Sequence, residues 1–126
     1  MNDTPSHPLA MIVEDDDKQA TIFAQALQIA GFTVEHVSNG RIAQERLAQT
    51  LPVLIVLDLH LPEVSGDKLL HQIRSDERLL NTQVILATAD PAMADSLTDH
   101  SDYIMQKPIS FSQLKDLATR IYNSGG

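Results

Sequence analysis

Val53-Leu54-Ile55-Val56-Leu57-Asp58 decides the reading of this chain. Five successive apolar residues match a strand buried on both faces, because alternate side chains of a strand point to opposite sides of its sheet. The carboxylate of Asp58 directly after them has no packing role. It marks the carboxyl end of a central parallel strand, the edge at which open α/β sheets bind ligands.

Working outward, Leu9 to Val13 is a first short apolar strand and ends in Glu14-Asp15-Asp16-Asp17. Ile22, Phe23, Ala26, Leu27 and Ala30 follow at helical spacing, with Asp16 and Gln19 as a capping box and Gly31 as the stop. Phe32 to Val37 is the second strand, closed by Ser38-Asn39-Gly40, and Ile42, Ala43 and Leu47 line a second helix that Pro52 ends. Beyond Asp58, Pro62 and Gly66 mark a loop, and Leu69, Leu70 and Ile73 a third helix. Val84 to Ala87 is a fourth strand running into Thr88. The stretch from Ala92 to Ser101 is weakly helical, and Tyr103 to Gln106 is a fifth strand ending at Lys107-Pro108. Ser110 with Gln113 caps a last helix carrying Leu114, Leu117, Ala118 and Ile121.

Strands and helices thus alternate, which predicts an α/β fold: a doubly wound, five-stranded parallel sheet with right-handed crossovers, order 2-1-3-4-5. Residues 1–8, polar with two prolines, read as a flexible lead; residues 9–122 as one domain; residues 123–126 as a frayed end or linker stump. At 126 residues the chain holds one core. Its formal charge of -8 argues against non-specific nucleic-acid binding and against anionic membranes. Cysteine is absent, which excludes disulfides and Cys-ligated zinc and fits a cytoplasmic setting. No apolar run reaches the roughly 18 residues of a spanning helix.

The topology carries Glu14, Asp15, Asp58, Thr88 and Lys107 to one sheet edge. Two carboxylates about 4 Å apart repel by about 4 kcal/mol at an effective dielectric near 20. A hard divalent cation such as Mg²⁺, or the ammonium of Lys107, would offset that. Carboxylates, a hydroxyl and a cation together suit phosphoryl transfer to an aspartate.

In their order and separation, Ile12-Val13-Glu14-Asp15-Asp16, Leu57-Asp58-Leu59-His60-Leu61-Pro62 with Gly66, Thr88-Ala89 and Lys107-Pro108 are similar to the motifs of response-regulator receiver domains of two-component signalling. The similarity spans residues 9 to 122 and implies a flavodoxin-like receiver fold. It further implies that Asp58 accepts a phosphoryl group from a histidine kinase or histidine phosphotransfer protein. Asp15 would hold Mg²⁺ directly and Glu14 through water, alongside Asp58 and the backbone carbonyl of His60. Thr88 and Lys107 would bind the phosphoryl oxygens, and the Lys107-Pro108 bond would be cis. A downstream protein target or effector domain, and a homodimer, complete the implied partners, and the chain is either a stand-alone receiver or part of a longer regulator.

Three features depart from the family pattern. Ile104 stands where an aromatic residue is common, with Tyr103 beside it on the opposite face. The Thr88–Lys107 stretch is short, and His60 and Asp90 overlook the phosphoryl position. Rival readings fare worse. A haloacid-dehalogenase-type phosphatase needs a second acid where His60 stands, and a flavin binder needs a phosphate-gripping loop where Glu14-Asp15-Asp16-Asp17 would repel phosphate. A receiver-like interaction scaffold that is not phosphorylated is the remaining alternative. His7, His36, His71 and His100 read as surface residues.

Overall fold

The computed structural model describes residues 7–124. Residues 1–6 of the lead expected at 1–8, and the last two residues, lie outside the described residues. Pro8 already belongs to the sheet region, since its carbonyl accepts the Thr33 N–H at 2.9 Å.

The five strands are β1 (Leu9–Val13), β2 (Thr33–Val37), β3 (Leu54–Asp58), β4 (Gln83–Thr88) and β5 (Tyr103–Gln106). They form one parallel sheet in the order β2-β1-β3-β4-β5, as the alternation predicts. The helices are α1 (Asp17–Ala30), α2 (Gly40–Leu47), α3 (Gly66–Ser75), α4 (Pro91–Asp95) and α5 (Phe111–Asn123). Short 3-10 turns lie at Glu77–Leu79 and Thr98–His100.

The strand pleat sorts the apolar residues into two cores. Ala10, Ile12, Leu54, Val56, Ile85 and Ala87 face α1 and α5. Met11, Val13, Ile55, Leu57, Val84 and Leu86 face the side of α2 and α3. Every residue of β3 is buried, and each such Leu, Ile or Val contributes about 1.5–3 kcal/mol by leaving water. Leu57→Ala would therefore damage the strand that presents Asp58.

Of the two capping boxes expected from the sequence only the one at α5 forms; at α1 Asp16 caps alone, because its own N–H goes to Glu14 Oε2 instead of the Gln19 side chain. The Asp16 carboxylate accepts from the backbone N–H groups of Lys18 (2.9 Å) and Gln19 (3.1 Å), so it caps α1. Ser110 and Gln113 form the reciprocal box at α5. Gly31 ends α1 with φ 121°, a conformation side chains resist.

One face assignment needs correction. Ile22 is 41% exposed, and Ala20 takes its place among the buried residues of α1. At about 100° per residue, the buried stripe of α1 is centred on Phe23, so Ile22 lies about a quarter-turn off it. The weakly helical stretch after Thr88 resolves into the five-residue α4 and one 3-10 turn. β5 is the sheet edge, and both Tyr103 (37%) and Ile104 (39%) are substantially exposed there.

Candidate functional site

β1 and β3 are hydrogen-bonded neighbours, with Val13 opposite Leu57. Their next residues, Glu14 and Asp58, therefore emerge together. Carboxylate oxygens of Glu14, Asp15 and Asp58 all lie within 4.8 Å of one another. Glu14 is 1% exposed and Asp58 4%, whereas Asp15 faces solvent.

Each buried acid is held from several sides. The Glu14 N–H donates to the Val37 carbonyl at 3.0 Å. Its own carbonyl accepts the Nε2–H of His36 at 2.7 Å, which ties the exposed-edge strand β2 to the acid. Oε2 accepts the Asp16 N–H at 3.2 Å and Oε1 accepts from Lys107 Nζ at 3.0 Å. On Asp58, Oδ1 accepts the His60 N–H at 3.1 Å and lies 3.5 Å from Lys107 Nζ. The ammonium thus sits between two acids that are 93 and 49 residues away in sequence.

Lys107 reaches this place because its N–H donates to the Thr88 carbonyl at 2.8 Å, which extends the β4–β5 pairing by one step. The Lys107-Pro108 bond is cis. Thr88 is buried at the end of β4, and its Oγ1 accepts the Asp90 N–H at 3.0 Å. Among the described residues that hydroxyl makes no donor bond of its own. Asp90 is more than an overlooking acid: its carboxylate caps α4 by accepting from Ala92 (3.1 Å) and Met93 (3.3 Å). The His60 side chain is exposed.

Gly66 closes the loop behind Asp58. A Cβ there would run into the Asp58 carbonyl oxygen and lie 2.6 Å from Leu59 Cα. Only glycine lets α3 begin this close to the end of β3, and the Gly66 N–H donates to the Leu59 carbonyl at 3.2 Å.

Electrostatically the pocket is short of positive charge. Burial, opposed by the Lys107 hydrogen bond and aided by the negative charge of Asp58, pushes the Glu14 carboxyl up to about 7. A single ammonium does not neutralise three acids, and oxygen donors of this kind fit a small hard cation. Glu14, Asp15 and Asp58, whose carboxylate oxygens lie together, are the groups that could hold it.

All the acids, the threonine and the lysine singled out in the sequence are brought to this edge. Two contributors were not singled out: His36, and Arg74 on α3. Arg74 donates to the carbonyls of His100 (2.7 Å) and Thr82 (3.0 Å) and to Asp102 Oδ2 (2.7 Å), fastening the segment before β5. Neither carries a local pattern.

A family model described as "Response regulator receiver domain" matches residues 10–119. The chain is 31% identical over 118 residues to a probable methanogenesis regulatory protein, FilR2, of Methanothrix harundinacea, covering 85% of this chain and 76% of that protein. It is 29% identical over 110 residues to the DNA-binding dual master transcriptional regulator RpaA of a Synechocystis strain, covering 85% of this chain but only 46% of the regulator. The crystal structure of a signal receiver domain of a signal transduction histidine kinase from Syntrophus aciditrophicus matches with a TM-score of 0.81 and 32% identity, covering 93% and 91% of the two chains. Among the described residues, no helix is long and apolar enough to cross a membrane.

Proposed function

The chain belongs to the response-regulator receiver domain family of two-component signalling, and we propose that it works as a phosphoacceptor whose site is Asp58. A histidine kinase or histidine phosphotransfer protein would be the donor. One carboxylate oxygen of Asp58 attacks the phosphorus of a phosphohistidine. The new P–O bond forms as the P–N bond breaks, and the imidazole nitrogen leaves with the bonding pair and takes up a proton.

The observation that carries this reading is the Lys107 ammonium, 3.0 Å from Glu14 and 3.5 Å from Asp58 in a buried acidic pocket. Transfer adds negative charge beside Asp58, and Lys107 can exchange its Asp58 and Glu14 contacts for a phosphoryl oxygen. The Thr88 hydroxyl can donate to another. Asp15, Asp58 and the His60 carbonyl, with Glu14 through water, would hold Mg²⁺, which would neutralise charge on the phosphoryl oxygens when bound.

Pull on Thr88 and Lys107 is transmitted to α4 through the Asp90 N–H and to β5 through the Lys107 N–H. Phosphorylation then shifts a pre-existing equilibrium of these segments and alters a partner-binding surface. With Ile104 exposed on β5 in the aromatic position, the shift works without a buried aromatic there. The partner would be a downstream protein or an effector domain, in a cytoplasmic setting, with a homodimer as one arrangement.

A titration with beryllofluoride and Mg²⁺, followed by amide resonances, tests the reading. Saturable shifts at residues 58–60, 88–90 and 107 are expected. Their absence would favour the scaffold that binds partners without phosphorylation.

A further inference from the structure

The carbonyl of Glu14 loses both of its ordinary backbone partners. In a parallel pair the next N–H along β2 would meet it, but β2 stops at Val37 and Asn39 turns away to cap α2. In a helix the N–H four residues on would meet it, but the Lys18 N–H goes to Asp16 Oδ1 at 2.9 Å. A carbonyl left unpaired inside the protein is costly, and here a side chain makes up the loss. His36 sits opposite Ile12, so its ring rises on the α1 face of the sheet, and its Nε2–H reaches the Glu14 carbonyl at 2.7 Å. The strand that carries the ring is itself fastened, since Arg46 of α2 donates to the neighbouring Glu35 at 3.1 Å.

That bond completes the grip on Glu14. Its N–H is held by the Val37 carbonyl, Oε2 by the Asp16 N–H and Oε1 by the Lys107 ammonium. Asp15 is the opposite case. Its carboxylate faces solvent, and among the described residues nothing donates to it, yet one of its oxygens lies within 4.8 Å of those of Glu14 and Asp58. Its position therefore rests on its backbone. The Glu14 carbonyl and the Asp15 N–H belong to one planar peptide unit. By holding that carbonyl, His36 fixes the plane from which Asp15 departs.

On the reading of Glu14, Asp15 and Asp58 as a Mg²⁺ site, we infer that His36 is a positioning residue for that ion: through the Glu14–Asp15 peptide it keeps the exposed acid where the metal needs it. Mg²⁺ demands near-octahedral geometry, so a displaced oxygen weakens it more than it would a larger, more tolerant cation. Without a donor at position 36 the Glu14 carbonyl turns to water, the peptide rocks, and Asp15 spends part of its time out of reach.

The test is a calorimetric Mg²⁺ titration of the parent chain, His36→Leu and His36→Gln at one pH. Leucine fills much of the ring's volume without a donor, whereas glutamine places an N–H where Nε2 stood. Affinity should fall about tenfold in the leucine variant and return to within about twofold of the parent in the glutamine variant. Without metal, the Asp15 amide resonance should shift in His36→Leu and recover in His36→Gln, because that N–H shares its peptide with the held carbonyl. A leucine variant that loses stability in urea but binds Mg²⁺ as the parent does would overturn the proposal, and so would a glutamine variant as weak as the leucine one. Those outcomes leave the acidic site itself standing; a parent chain that binds no Mg²⁺ would remove both.

Discussion

Glu14 makes the pocket's electrostatics measurable. Burial holds its carboxyl at about 7 in the folded chain, against 4.5 for a free side chain. Between those pH values the folded state keeps a proton that the unfolded state has lost, so the stability of the metal-free protein falls as pH rises. The contribution is fully present below about pH 4.5, and it is lost as pH passes through about 7. At about 1.4 kcal/mol per pH unit, the loss over that window is about 3 kcal/mol. Glu14→Gln removes the titration and keeps the shape. It adds a constant offset, because the amide nitrogen cannot accept the Asp16 N–H that Oε2 accepts at 3.2 Å. Urea unfolding of both proteins at intervals from pH 4.5 to pH 8, with a chelator present, gives the difference in stability as a function of pH. That difference should shift in favour of the glutamine variant by about 3 kcal/mol across the range. Saturating Mg²⁺ should flatten the slope in the parent protein, because the ion favours the ionised acid, and should add about 2.7 kcal/mol at a hundred times its dissociation constant. A pH-independent difference, or a slope unaltered by Mg²⁺, would refute the picture of an under-neutralised buried acid.

Other parts of the structure lead to equally concrete expectations. Arg74→Ala should lower stability by about 2–3 kcal/mol in denaturant unfolding, since two backbone carbonyls and Asp102 lose a charged donor. Gly66→Ala should displace the Asp58 loop, because the new methyl meets the Asp58 carbonyl, and should weaken Mg²⁺ binding in a fluorescence or calorimetric titration. Lys107→Ala should still take up phosphoryl label but lose the accompanying amide-shift response at Thr88 and β5; a response equal to the parent's would count against the role given to the ammonium.

The sheet was legible because its signals are local. The apolar runs of β1, β3 and β4, each ending at a polar or charged residue, mark the edge that carries Glu14, Asp58 and Thr88, with Lys107 at the end of the shorter β5, and the alternation of strands with helices predicts the strand order. Ser110 with Gln113, and Asp16 as a cap, were readable because capping is completed within four residues. Ile22 misled because helical spacing defines a stripe without fixing its centre, and only the packing of α1 on α5 and the sheet does that. His36 and Arg74 were missed for a different reason. Each bonds a backbone carbonyl far along the chain, and neither a lone histidine on a strand nor an arginine on a polar helix face announces such a partner. The same holds for Asp90, whose cap and N–H bond to Thr88 Oγ1 depend on where α4 begins.

The central claim is tested most directly by treating the chain with a small-molecule phosphodonor and Mg²⁺ and locating the modification by mass spectrometry after peptide cleavage. The account predicts a single acid-stable, base-labile acyl phosphate on Asp58, absent when Mg²⁺ is chelated and absent in Asp58→Asn. Label on another residue, or uptake by Asp58→Asn at the parent's rate, would contradict it.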